Sequence, residues 1–266
     1  MSVEDAQRRA STHVYAETNH VGRYANRVLR PVEVVVLARY SAAFSGRVLE
    51  IGCGAGRILG YLVALGGQVH GIDVSEPIVA YCRARYPQAD VRVGDMTTLA
   101  SVAKGPFDAV FAPFNVIDVL PDAARRSVLS EIRELLAPSG LLVFSSHNFA
   151  YMEESAPSPR DRRRMLLSKL DRPPSFLIGK ALRLPTRVRN RRRLAPLEQR
   201  AADHAILNDE AFEYGLLHYY IRRDDQARQL DELGYDLVEC LDLEGRSVSA
   251  EEPGSGPELH YVARPR

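Results

Sequence analysis

From Arg47 onward, short β-branched runs alternate with stretches whose apolar residues recur at helical spacing. The runs 48–51, 68–73, 91–93, 108–111 and 141–145 read as strands, with helices predicted over 57–65, 77–85 and 122–136. In the last helix Val128, Ile132, Leu135 and Leu136 share a face, and Pro138-Ser139-Gly140 turns the chain into the next strand. This alternation predicts an α/β sheet, largely parallel, with helices on both faces. After Asn148 it breaks. Residues 150–213 carry six prolines and short amphipathic pieces such as Met165-Leu166-Leu167 and Phe176-Leu177-Ile178, with no strand signal, and read as an insertion. The pattern resumes with a helix over 224–233 ended by Gly234, a strand over 235–243 and a final strand over 258–263. Those two strands, joined without a helix, must be antiparallel neighbours. Residues 5–44 read as helices capping the sheet, broken near Arg30-Pro31.

The expected organisation is a helical cap (1–45), a cofactor-binding half (46–149), a basic insertion (150–213) and the remaining core (214–266). The 266-residue chain is long enough for one large domain or two small ones, and 45% hydrophobic with 26% charged residues is an ordinary globular composition. Cys53, Cys82 and Cys240 suggest neither a disulfide framework nor a CxxC metal site. The first residues lack the apolar stretch of a secretory signal and no run of about 18 apolar residues occurs, so the sequence reads as cytoplasmic. Charge changes the picture more. Residues 151–200 hold 14 Lys and Arg against 5 Asp and Glu, a net of +9, while the rest of the chain nets −8. All of those cations but Lys169 and Lys180 are arginines, whose planar forks suit phosphate or carboxylate.

The strongest chemical signal is Val48-Leu49-Glu50-Ile51-Gly52-Cys53-Gly54-Ala55-Gly56, an apolar strand ending in an acid and running into a glycine loop that opens a helix. Its glycines follow GxGxG, not the GxGxxG dinucleotide fingerprint. Gly71-Ile72-Asp73-Val74 puts an acid at the end of the second strand, where a carboxylate can accept hydrogen bonds from both ribose hydroxyls. Gly94-Asp95-Met96 follows the third strand, where a carboxylate can take an exocyclic amine proton while a methionine lies on a purine face. In order, at successive strand ends, these describe an adenosine site.

With those motifs, residues 46–148 and 216–266 resemble the class I S-adenosylmethionine-dependent methyltransferases, whose first motif has the form VLEIGCGxG. The resemblance implies a Rossmann-like, doubly wound sheet of seven mostly parallel strands with an antiparallel last strand. It implies S-adenosyl-L-methionine as cofactor, with Glu50, Gly52, Gly54 and Gly56 at its methionine end, Asp73 at the ribose, Asp95 and Met96 at the adenine, and Cys53, Val74, Phe114 and Asn115 also among the cofactor-binding residues. Phe114-Asn115-Val116-Ile117 is similar to the family's segment beneath the transferred methyl, but departs from the Asn/Asp-Pro-Pro-Tyr form of many nucleic-acid amino methyltransferases.

The reaction so implied is an in-line displacement, which needs an aligned acceptor and, for a hydroxyl acceptor, a base or a metal. His147, at the end of the fifth strand, is the first candidate base; His218 follows, with Tyr219 beside it. Asp118 could join Asp73 or His147 at a metal, but the spacing is no ligand signature and no metal is expected. Tyr15, His20 and Tyr24 could close over the cofactor. The expected acceptor is a small molecule or glycan, through oxygen sooner than nitrogen. The arginine run 187–193 favours an anionic or lipid-linked acceptor, with peripheral contact to anionic lipid through residues 160–193. Poor aromatic interleaving speaks against nucleic acid. RNA methylation and a non-catalytic cofactor-binding scaffold remain the alternatives, and oligomeric state is open.

Overall fold

The computed structural model describes Gln7 and residues 28–155 and 174–266. Tyr15, His20, Tyr24, the Met165-Leu166-Leu167 piece and the side chains of Phe176-Leu177-Ile178 lie outside what is described, as do most of residues 1–27 and part of the expected lipid-contacting segment.

Helix α1 (Pro31–Arg39) leads into strand β1 (Arg47–Ile51). Helix α2 (Leu59–Ala64), β2 (Gln68–Asp73), α3 (Glu76–Arg85), β3 (Asp90–Val93), β4 (Phe107–Ala112), α4 (Asp122–Leu135) and β5 (Leu136–Asn148) follow. The strands lie side by side in the order β3-β2-β1-β4-β5, all parallel. Strand β5 starts earlier than its hydrophobic run suggests, because Leu136 pairs with Phe107 before the register shifts and Ala109 meets Leu141. Pro138-Ser139-Gly140 is thus a bulge between two paired stretches.

Alternation along each strand feeds two cores, as expected of strands covered on both faces. Leu49, Ile51, Leu142 and Phe144 pack with Val128, Leu129 and Ile132 of α4. Val48, Val69, Phe111 and Val143 pack with Val32 and Val36 of α1 and Leu59 and Leu62 of α2.

Beyond β5 the chain forms α5 (Phe149–Glu154) and, after residues not described, α6 (Pro174–Leu194). Strands β6 (Gln199–Arg200), β7 (His204–Leu207) and β8 (His218–Ile221), α7 (Arg223–Glu232), β9 (Tyr235–Leu241) and β10 (Glu258–Pro265) complete it. Strand β10 runs antiparallel to both β5 and β9, so β1–β5, β9 and β10 make the seven-stranded, mostly parallel sheet with a reversed last strand. The Rossmann-like fold stands. The strandless reading of 150–213 is corrected, since β6 and β7 lie within it; with β8 just beyond they form an antiparallel ribbon, and β8 pairs in parallel with His147 and Asn148 at the tip of β5. Runs of two and four residues carry too few alternations to register as strands in the pattern. The amphipathic pieces of the same segment are also corrected, since α6 spans 21 residues with Pro185 inside it. No helix among the described residues is long and apolar enough to cross a membrane.

Candidate active site

The carboxyl ends of β1–β4 open on a cavity of about 200 Å³. Of the residues expected at the cofactor, Glu50, Gly52, Cys53, Gly54, Asp73, Val74, Asp95, Met96 and Phe114 line it. The glycine loop owes its path to backbone freedom at two positions. Gly52 has φ +67° and its missing Cβ would lie 2.4 Å from Val116, whereas Gly54 has φ +52° and its missing Cβ would meet nothing nearer than the Gly52 carbonyl oxygen at 4.0 Å. The space beside Gly54 is therefore open toward the cavity. Gly56 lies outside that lining and faces the Tyr86 ring, 2.4 Å from where its Cβ would be, so it seats the loop on α3.

The acids differ in how fully they are partnered. Asp73 accepts hydrogen bonds from the Gly54 amide at 3.0 Å and the Ser75 amide at 2.9 Å, tying the loop to the end of β2. Asp95 caps the following turn, accepting from the Thr97 amide and hydroxyl, both at 2.9 Å. Glu50 is 1% exposed, and its Oε2 has no hydrogen-bond partner among the described residues. Burial raises its pKa well above the ordinary value, Arg57 pulling the other way and Cys82, Glu33 and Asp73 adding to the rise. A buried carboxyl group with one oxygen unpartnered at a cavity wall is suited to a donor or a cation. Arg57 itself is held by Glu33 of α1, which also accepts from the Arg30 amide at 2.7 Å.

Two aromatic walls come from strained turns. Phe114 (φ +62°) and Phe212 (φ +48°) both line the cavity in the left-handed region that non-glycine residues rarely occupy. Arg30 lies 4.2 Å above the Phe114 ring. Asn115 does not line the cavity. It is buried behind Phe114, its amide donating to Ser145 Oγ at 2.7 Å and its Nδ2 to Glu258 at 3.1 Å.

His147 and His218, the candidate bases, do not line this cavity but lie together beside it. His147 Nδ1 lies 2.8 Å from Asp118 Oδ2, which also accepts the His147 amide at 2.7 Å. His218 Nδ1 lies 2.7 Å from Asp209 Oδ2, to which Tyr220 also donates at 2.7 Å. The His147 ring is centred 5.0 Å from that of His218 and 4.8 Å from that of Tyr220. Burial lowers the His147 pKa, but Asp118, with Asp209 and Glu258 beyond it, outweighs this and leaves it raised. Asp209 is opposed by its own burial yet lowered on balance by His218 and Tyr220. The group adjoins the cavity through two turns: Val116–Val119 brings Asp118 and two cavity-lining valines, and the Asp209 turn brings Phe212.

Several of these residues escape a reading by sequence. Asp118 was expected only as a metal partner, not as the support of His147, and Arg125 and Asp209 not at all. Arg125 is fully buried, with Nε 3.3 Å from Asp118 and NH2 3.2 Å from Ser146 and 2.6 Å from Gln226. Its place on the stripe of Val128 and Leu129, three and four residues on, is the signal that could have found it.

Residues 48–140 match the family described as "Methyltransferase domain". The chain is 36% identical over 115 residues to a probable S-adenosylmethionine-dependent methyltransferase of Mycolicibacterium smegmatis, covering 43% of each. It is 32% identical over 124 residues to a ubiquinone biosynthesis O-methyltransferase of Xanthomonas campestris pv. campestris, covering 45% of this chain and 51% of that one. The chain thus spans about half the length of the curated relatives it matches. Among solved structures, a TehB-like SAM-dependent methyltransferase from Corynebacterium glutamicum superimposes with a TM-score of 0.56 over 97% of this chain and 99% of that one, at 17% identity, a likeness of fold.

Proposed function

Residues 48–140 are a methyltransferase domain of the class I, S-adenosylmethionine-dependent family, and from that premise we propose that the chain moves a methyl group to a hydroxyl of a small-molecule acceptor. The observation that carries this reading is Glu50. Its Oε2 is buried without a hydrogen-bond partner among the described residues, and the residue lines the cavity with Gly54, an arrangement that suits the ammonium of a methionyl group. Asp73 lines the cavity at the end of β2, where a carboxylate can take ribose hydroxyls, and Asp95 and Met96 stand where an adenine would be bracketed. When bound, the cofactor supplies a methyl already activated on a sulfonium. The chain's own part is to hold the acceptor in line and exclude water, a contribution of roughly 7–11 kcal/mol for well-oriented groups.

On this reading the acceptor enters from the side of Phe212 and the two histidines. Oxygen is favoured because two imidazole–carboxylate pairs stand there, a provision that a neutral amine does not need. The O-methyltransferase relative supports the same choice. Helix α6 makes the approach basic: Arg187 and Arg183 pair with Glu210 and Glu213 of the Phe212 turn, and Arg189, Arg192 and Arg193 are exposed beyond them. That supports an anionic acceptor, with residues 150–213 serving as its docking side.

The test couples calorimetry to label transfer. The full chain is expected to bind S-adenosylhomocysteine, with Glu50→Gln and Asp73→Asn each weakening it by about tenfold or more, since each removes a charge-assisted contact of ~1.5–3 kcal/mol. Label from the methyl donor should appear in the small-molecule fraction of a cell extract, and His147→Ala should abolish transfer with product affinity intact. A folded protein with no affinity for the product analogue removes the reading; label found in RNA replaces the acceptor.

A further inference from the structure

We infer that His147, Asp209 and His218 form a binding site for one divalent transition-metal ion of borderline character, such as zinc. Each offers one ligand atom, and these atoms all lie within 4.8 Å of one another, the group of this kind found among the described residues. Ligands held about 2.1 Å from an ion stand roughly 3 to 4.2 Å apart, so small side-chain rotations close the cluster around one. Two imidazoles and one carboxylate suit zinc, cobalt or ferrous iron better than calcium or magnesium, which favour all-oxygen sets.

What separates this trio from a chance gathering is the layer behind it. Metal-ligating histidines characteristically have their second ring nitrogen held by a carboxylate. Here Asp118 holds His147 Nδ1 at 2.8 Å, leaving Nε2 for an ion. Asp118 is itself held by Ser146 at 2.9 Å and by the buried Arg125, so it cannot swing away. Tyr220 plays the same part for Asp209, donating at 2.7 Å, and the Ala211 amide takes the other oxygen at 2.9 Å. The ligands arrive from three elements. His147 ends β5, His218 opens β8, and Asp209 lies in the turn between β7 and β8, which is why spacing along the chain gives no ligand signature and none was expected. His147 is 19% exposed, so the cluster is reachable and keeps open positions for an acceptor.

The ion's binding stands apart from the methyl-transfer reading; its role rests on it. A hydroxyl bound at an open position of such an ion loses its proton more readily. The proton leaves to solvent, the oxygen's pair forms the new C–O bond, and the C–S pair stays on sulfur as the sulfonium becomes a neutral thioether.

The experiment is titration of the chelator-treated full chain with Co²⁺ alone, read by visible d–d absorption, then competition with Zn²⁺. One Co²⁺ per chain should bind and be displaced by Zn²⁺. His147→Ala and His218→Ala should each abolish the band, and Asp118→Asn should weaken binding about 10- to 100-fold, as loss of an outer partner does. S-adenosylhomocysteine affinity, measured in every variant, should stay unchanged and reports that the fold is intact. Failure of the parent protein to bind a stoichiometric Co²⁺ overturns the site, as does an unchanged band in a His147→Ala protein that still binds the product analogue. Loss of product-analogue affinity in the parent would instead count against the cofactor reading and leave the cobalt result to stand by itself.

Discussion

Glu50 shows how one residue can be costly to the empty protein and useful to the loaded one. Its burial raises its folded-state pKa well above the ordinary 4.5, so between that value and the raised one the folded state holds more protons than the unfolded chain. Stability from this group therefore falls as pH rises through that window, and the cost is fully present above it. Glu50→Gln is expected to raise the thermal midpoint of the cofactor-free protein near neutral pH by roughly 2–4 °C, for about 1 kcal/mol. It should also flatten the acid side of the stability curve while product-analogue affinity drops; a lower midpoint in differential scanning calorimetry contradicts the account. Residues of this kind were legible in the sequence because strand, acid and glycines are contiguous. Arg125 was not, because a helix-borne arginine reads as surface until Asp118 in the preceding turn and the sequence-distant Ser146 and Gln226 are folded around it.

At the scale of elements, the βα units were read with boundaries within two residues, except β5, which begins five residues before its apolar run, since most strands are short apolar runs and the helices between them carry buried apolar residues. The ribbon β6–β8 was missed because its identity lies in pairing. Two-residue β6 has meaning only beside β7, and β8 only beside the end of β5. Loop and helix are joined as closely. Gly56, at φ +78° with Tyr86 2.4 Å from its absent Cβ, locks the glycine loop to α3. Gly56→Ala should cost about 1–3 kcal/mol from backbone strain alone, seen as an earlier urea midpoint with unchanged slope. It should also weaken product-analogue binding by shifting Gly54, although Gly56 lies outside the cavity lining. Equal midpoints for the two proteins would show that the loop does not depend on this packing.

For the molecule as a whole, charge is unevenly divided along the chain. The acidic parts build the sheet and cofactor side, while the basic excess lies in the segment that reaches the Phe212 turn through Arg183 and Arg187. Replacing exposed Arg189, Arg192 and Arg193 together by Glu is expected to raise KM for an anionic acceptor about tenfold at low salt, less at high salt, with product-analogue affinity unchanged. A KM that does not move in steady-state assays would make the arginines a solvated face only. The fork at the end of β5 has a wider implication. One side of its shared strand is taken by β10, and the other is divided between β4, which pairs as far as Phe144, and β8, which pairs from His147 on. The span 199–221 thereby joins β5 through two residue pairs, and exchanging it between related proteins is expected to change acceptor preference while altering the cavity wall at Phe212 alone among the residues of that lining.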